Sequence, residues 1–380
     1  MADEFIPLSV PDLRGREREY LVECIDQGWV SSAGPFVTQL EARVADLSGR
    51  ARGTAAVNGT AALHLTLTAL GAGPGRQVIC PDWTFIATAN AIAHAGATPF
   101  FVDVDSRTWT MDPTQLTLAL KEQAGKVAAV VVVHTLGHAA DMDALLRICL
   151  DAGVPLVEDA AGAIGSTYRD QPLGKFGRAS CFSFNGNKLV TAGGGGMIVT
   201  DDVVIADRTK HLSTQARLGS DYVHSDVAWN YRMTNLNAAV ALAQLERLNE
   251  MVAAKRAIAA RYDEGLAETG LVPMPRMPWA GHNCWLYSLL APDLEAADAL
   301  VQALRARNVE ARVFWRSLSA QAPYSGAPKR LTGVAQALSG RVVSLPSSSS
   351  LTDAQQERVI AGVKQWAAQR HAPHRRVGVA

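Results

Sequence analysis

Lys188 stands in a setting that a solvated surface lysine does not need. It follows Ser183-Phe184-Asn185-Gly186-Asn187 at the end of an apolar run and precedes Val190-Thr191-Ala192 and four glycines, Gly193 to Gly196. A run of glycines permits tight backbone approach. Upstream, the apolar stretch beginning at Pro155 ends in Glu158-Asp159. A carboxylate at a strand's carboxyl end and a lone lysine on a later turn are the two groups that pyridoxal phosphate chemistry demands. The amine would hold the cofactor aldehyde as a Schiff base. The carboxylate would keep the pyridine nitrogen protonated, so that the ring can take up electrons when a substrate proton leaves. The plain alternatives are a surface lysine at Lys188 and a helix N-cap at Asp159, before Ala160-Ala161-Gly162. The glycine run and the apolar strand favour chemistry.

A cofactor phosphate needs backbone amides at a helix N-terminus and a few hydroxyls. Asn58-Gly59-Thr60-Ala61 offers both, with Gly59 allowing close approach and Thr60 adding a hydroxyl. Ser183 is a second hydroxyl candidate. His94, His211 and His282 have no metal-ligand spacing, and no metal site is expected.

These groups must be carried by regular elements. Helical patterns cover Ala61 to Leu70, Thr84 to Ala95 and Met142 to Ala152; strand patterns cover Gln77 to Cys80, Thr98 to Val104, Val127 to His134 and Val154 to Glu158. Alternating units of this kind imply a mostly parallel sheet covered on both faces. Ligands of such sheets bind beyond the carboxyl ends of the strands, where Asp159 falls. After the glycines, Met197 to Thr200 reads as a strand and Val204 to Leu212 as a helix. One long helix is expected from Asn235 to about Leu266. A smaller domain follows, with strands near Trp285 to Leu290 and Glu310 to Phe314 and a helix over Leu294 to Arg307. Thr352 and Gln355 form a capping box for the closing helix.

With 380 residues and 48% hydrophobic content, the chain can bury a large core and divide in two. A net charge of zero argues against nucleic acid or an anionic membrane as partner. Cys24, Cys80, Cys149, Cys181 and Cys284 show no paired spacing, as for reduced thiols. No signal peptide or membrane span is read from the sequence, and a cytoplasmic location is expected.

Several segments together resemble one family of enzymes. They are Gly28-Trp29-Val30-Ser31-Ser32, Asn58-Gly59-Thr60-Ala61-Ala62-Leu63, Thr84-Phe85-Ile86-Ala87-Thr88-Ala89-Asn90, Asp141-Met142-Asp143, Glu158-Asp159-Ala160-Ala161 and Asn230-Tyr231-Arg232-Met233. The chain is similar over almost its whole length to the DegT/DnrJ/EryC1/StrS sugar aminotransferases. Phe184-Asn185-Gly186-Asn187-Lys188 and Ser213-Thr214-Gln215-Ala216-Arg217 look most like the bacillosamine and legionaminic acid branch.

The resemblance implies a type I pyridoxal phosphate (aspartate aminotransferase-like) α/β fold. The large domain would span 1–250, a smaller α+β domain 251–372, and a frayed tail 373–380. It implies a transaminase carrying the amino group of L-glutamate to C4 of a nucleotide-linked 4-keto-6-deoxy sugar. UDP-2-acetamido-2,6-dideoxy-4-keto-hexose is the first reading, with a GDP-perosamine or dTDP-amino sugar type as the alternative. Lys188 and Asp159 would be catalytic. Gly59, Thr60, Ala61, Phe85 and Ser183 would hold the cofactor with them, Phe85 by stacking on its ring and Trp83 as a neighbouring alternative. The family works as a homodimer, and Asn230 matches the asparagine that reaches the phosphate in the partner's site. Trp29, Ser31, Trp315 and either Arg312 or Arg316 would meet the substrate. Trp285 and Trp315 read equally as pocket walls or core.

Three positions depart from the family: Gly162 where Gln, His or Glu is usual near the ring hydroxyl, His134-Thr135-Leu136-Gly137 for His-Leu-Tyr-Gly, and Ser319 for histidine. A water or another side chain must fill the place at Gly162. Related sugar dehydratases replace the lysine with histidine, so Lys188 argues against that activity. A non-catalytic binding protein on the same scaffold is the third reading.

Overall fold

The computed structural model describes residues 4–371. Alternating strands and helices build an eight-stranded sheet in the order Arg52–Ala56, Gly196–Thr200, Ala179–Ser183, Leu156–Asp159, Val127–Val133, Gln77–Pro81, Thr98–Val102 and Lys329–Arg330. From Ala179–Ser183 to Lys329–Arg330 every pairing is parallel. Gly196–Thr200 alone runs antiparallel to its neighbours.

All seven residues of Val127–Val133 are buried, because helices cover both faces of the sheet. Side chains of a strand alternate between faces. Val130 and Val132 enter the core with Phe36, Leu40, Leu116 and Leu145, whereas Ala129 and Val131 pack with Leu63, Leu65, Ile92 and Ile205. The sequence therefore shows an unbroken apolar run instead of an apolar–polar alternation.

A second, antiparallel sheet orders Val272–Pro273, Tyr287–Leu290, Val342–Leu345 and Arg312–Phe314. It shares a core with Leu294–Arg305 and Asp353–His371 through Leu300, Leu304, Val343 and Val363. Asp353–His371 begins at the expected capping box: Thr352 N donates to Gln355 Oε1 at 3.0 Å, and Gln355 N to Thr352 Oγ1 at 3.2 Å.

The long helix expected over Asn235 to Leu266 is two helices, Asn235–Glu246 and Leu248–Leu266. The break falls at Arg247, whose backbone leaves the helical region at φ −105° and ψ 9°. No proline or glycine marks the place, so the sequence carries none of the usual breakers. The Arg247 guanidinium holds the corner instead, reaching Asp12 Oδ1 at 3.2 Å and Glu250 Oε1 at 2.6 Å. The helix expected from Thr84 is shorter, Ala87–His94, which leaves Thr84 and Phe85 in the loop ahead of it.

Segments distant in sequence close the structure. Ile6 bridges in parallel to Val309, and Lys329–Arg330 forms the sheet's edge beside Phe101 and Val102. The Asp103 carboxylate accepts the N–H groups of Thr332, Gly333 and Ala335 at 2.6 to 2.7 Å, which ties that edge strand's turn to the sheet. The five cysteines are free and buried. Among the described residues, no helix is long and apolar enough to cross a membrane. The tail expected at 373–380 lies outside the described residues.

Candidate active site

Beyond the carboxyl ends of the parallel strands lies a cavity of about 410 Å³. Its walls gather Asn58, Gly59 and Thr60, Thr84, Phe85 and Thr88, His134 and Thr135, Asp159 and Gly162, Ser183, Asn185, Asn187 and Lys188, Trp285, Phe314 and Trp315. Each group arrives by a local cause.

Gly59–Ala69 starts at the cavity wall because Asn58 caps it, Asn58 Oδ1 accepting Ala61 N–H at 2.8 Å. That bond engages the Ala61 amide, and Ala61 does not line the cavity; Gly59 and Thr60 do. A Cβ on Gly59 would lie 2.8 Å from Ser183 Cβ, and one on Gly196 would lie 2.5 Å from the Asn58 carbonyl carbon. Glycine at both positions thus brings helix start, Ser183 and strand together. At Gly195, with φ +146°, a side chain would meet Met233 at 2.7 Å. These contacts account for the second half of the glycine run, and Gly193 takes a positive φ of +73°.

Asp159 ends its strand with the carboxylate almost fully buried. Thr88 Oγ1 donates to Asp159 Oδ2 at 2.7 Å, and Ala161 N to Oδ1 at 3.2 Å. Burial pushes the Asp159 carboxyl up, against those two donors and the nearby Lys188. Lys188 sits on a turn closed by its own N–H donating to the Asn185 carbonyl at 2.9 Å. Burial lowers its amine to about 8, with Asp159 pulling the other way. The Lys188 Nζ lies 3.6 Å from the centroid of the Trp285 ring.

His134 is fixed as well. Its Nδ1 faces the Ala140 N–H at 3.3 Å, so the ring proton lies on Nε2 and is donated to Glu158 Oε2 at 2.9 Å. Glu158 also accepts from Ser180 Oγ at 2.6 Å and Gly174 N at 3.0 Å. Both carboxyl groups of the Glu158-Asp159 pair are therefore hydrogen-bonded, as buried polar groups must be.

The place left by Gly162 is taken by Trp285. A Cβ at Gly162 would stand 2.5 Å from Trp285 Cε3, so the indole occupies the volume that a longer side chain would need. Ser319, in the place of the family's histidine, donates its backbone N–H to Asp82 Oδ1 at 2.7 Å, and Ser317 Oγ donates to Asp82 Oδ2. Asp82 thereby anchors the loop that follows Phe314 and bears Trp315.

Of the residues singled out from the sequence, Gly59, Thr60, Phe85, Asp159, Ser183, Lys188 and Trp315 share this cavity. Phe85 is 57% exposed, while Trp83 is fully buried in the core and is not available to stack on a ligand. Trp29, Ser31, Asn230, Arg312 and Arg316 do not line it. Trp29 and Asn230 lie on the surface, and Arg312 pairs with Glu310 at 2.6 Å. Sequence reasoning assigned no role to Thr88. Its place one turn after Phe85 in Thr84-Phe85-Ile86-Ala87-Thr88 was the available signal.

With this geometry in place, comparison with known proteins is specific. The model of the DegT/DnrJ/EryC1/StrS aminotransferase family matches residues 11–364. A GDP-perosamine synthase of Caulobacter vibrioides is 38% identical over 368 residues, 95% of this chain and 98% of its own length. Another, from Escherichia coli O157:H7, is 36% identical over 353 residues, 93% and 96% of the two chains. The solved structure of a provisionally named sugar aminotransferase of Streptococcus pneumoniae, in its PLP form, superposes with a TM-score of 0.90 at 26% identity, covering 96% of this chain and 99% of that one.

Proposed function

The chain belongs to the DegT/DnrJ/EryC1/StrS aminotransferase family, a family of pyridoxal phosphate-dependent sugar aminotransferases, and from that premise we propose its substrate and the roles of its residues. The acceptor is a nucleotide-linked 4-keto-6-deoxy sugar aminated at C4, with L-glutamate as donor. The nucleotide is GDP, as in the GDP-perosamine synthases to which the chain is similar. Those relatives support the GDP type over the UDP-2-acetamido sugar suggested by Phe184 to Lys188 and Ser213 to Arg217.

The observation that carries the reading is the pairing, in one cavity, of a half-buried amine lowered to about 8 with a buried carboxylate at a strand end. The residues present fit pyridoxal phosphate. Lys188 would hold the aldehyde end, the N-terminus of Gly59–Ala69 with Thr60 and Ser183 the phosphate, and Phe85 a ring face. Bound there, the cofactor supplies an electron sink for the carbon that loses its proton. Asp159 would hold a proton on the pyridine nitrogen, and its bonds from Thr88 and Ala161 fix the carboxylate for that task. Lys188 would take a proton from one carbon and return it to another, which an amine titrating near working pH can do in both directions. His134, locked to Glu158, would present a rigid wall and no mobile proton.

The active unit is a homodimer in this reading. Asn230, Trp29 and Ser31 lie outside their own chain's cavity and would complete the neighbour's.

Purified protein supplied with pyridoxal phosphate and L-glutamate is to be incubated with the GDP-, UDP- and dTDP-linked 4-keto-6-deoxy sugars, with mass detection of the amino sugar. Preferred amination of the GDP sugar is expected. Preference for the UDP-2-acetamido sugar would overturn the nucleotide assignment, and amination of none would overturn the substrate class.

A further inference from the structure

Trp285 is held both at its indole and at its backbone. Its Nε1–H donates to the carbonyl of Asn187, the residue before Lys188, at 2.8 Å. Its backbone N–H donates to Asn283 Oδ1 at 2.9 Å, and its carbonyl accepts from the buried Lys255 Nζ at 2.8 Å. Its six-membered ring lies against Gly162, where even one added carbon would stand at 2.5 Å. A side chain so held cannot swing away, and Lys188 Nζ rests over its face at 3.6 Å. The ring face carries partial negative charge and attracts an ammonium, most strongly where water is excluded.

We propose that Trp285 is a positioning residue for the lysine: whenever the Lys188 amine is free, the indole face receives it and holds it beside the cavity while it carries the proton taken from one carbon, until that proton is returned to the other. This rests on the reading of Lys188 given under Proposed function and deepens it. In transamination the lysine would be released as soon as the donor's amine takes its place at the aldehyde, before the proton is moved. An amine then loose in the cavity would have no fixed direction; the indole supplies one. The other titratable groups facing Lys188 are few. Asp159 lies across the cavity, with His134 bonded to Glu158 beside it. Lys255, lowered to about 7 by burial, is engaged by the Trp285 and Ser347 carbonyls. The ring face and Asp159 are thus the two features that favour the charged lysine.

The test needs no turnover. Cofactor-free protein captures pyridoxal phosphate when the neutral Lys188 amine adds to the aldehyde and one water leaves, a step followed by absorbance. The capture rate rises with pH through a midpoint that reports the free amine. Removing the ring face removes a preference for the ammonium, so the midpoint falls. For Trp285→Leu we expect a fall of about one pH unit, or roughly tenfold more neutral amine at a given pH below the midpoint. Trp285→Phe keeps a ring face and should keep a midpoint close to that of the unaltered protein. Thermal unfolding checks that both variants fold; if the leucine variant does not, Trp285→Met replaces it. An unchanged midpoint in the aliphatic variant, or an equal fall in the phenylalanine variant, overturns the inference. If the unaltered protein captures no cofactor at all, it is the reading of Lys188 that falls.

Discussion

Lys188 is costly to keep in a protein without its cofactor. Its folded value of about 8 lies below the 10.5 of a free lysine, so between those limits the unfolded chain binds a proton that the folded chain does not. By linkage, this group then adds stability as pH rises from about 8 to 10.5 and is a net burden below 8. Replacing it with methionine should stabilise the cofactor-free protein at pH 7 by about 1–3 kcal/mol, less than the full shift because water reaches the open cavity. The advantage should vanish by pH 10.5. Thermal unfolding across that range decides it, and a gain independent of pH would reject the burial account. At Asp159 the expectation concerns rate. An amide cannot hold the pyridinium proton, so the ring would lose its capacity to take up electrons. Asp159→Asn should therefore slow turnover by roughly 10²–10⁴-fold, with little change in unfolding temperature. Near-normal steady-state kinetics would mean that another acid serves the ring nitrogen.

At the scale of elements, the site's frame was readable because strand and helix periods differ and glycine marks close approach. The strand ending at Asp159, the cap at Asn58 and the glycine run were all visible, so Gly59, Thr60, Asp159, Ser183 and Lys188, which share the cavity, could be named from the sequence. What stayed hidden depends on contacts across long stretches of chain. Gly162 reads as a missing side chain, yet its partner Trp285 comes from the strand region of the other sheet. No local pattern links the two. The corner at Arg247 was hidden for a similar reason, since Asp12 and Glu250 supply what a breaker residue would otherwise signal. The Gly162–Trp285 pair can be tested as a unit. Gly162→Gln should destabilise the protein by about 1–3 kcal/mol through overpacking, and combining it with Trp285→Ala should recover part of that loss. Additive losses in denaturant unfolding would show that the two positions do not compete for one volume.

For the whole molecule, the shared-site reading makes a prediction that a single chain cannot fulfil. Lys188→Ala subunits and Asn230→Ala subunits should each be inactive or weak alone. In a mixed dimer both lesions fall in one site and leave the other whole, so activity should return in part, up to about half per mixed dimer. Mass photometry or tagged co-purification can establish that mixed dimers form. If they form and remain inactive, Asn230 does not act across the interface. The edge strand Lys329–Arg330 also has a consequence for biosynthesis. It pairs with Phe101 and Val102, so the growing polypeptide exposes that sheet edge until residue 330 has left the ribosome. At elongation rates of about 5–20 residues per second, the wait lasts roughly ten to fifty seconds. An uncovered parallel edge is a template for unwanted pairing, and the nascent chain is most in need of a chaperone during that interval.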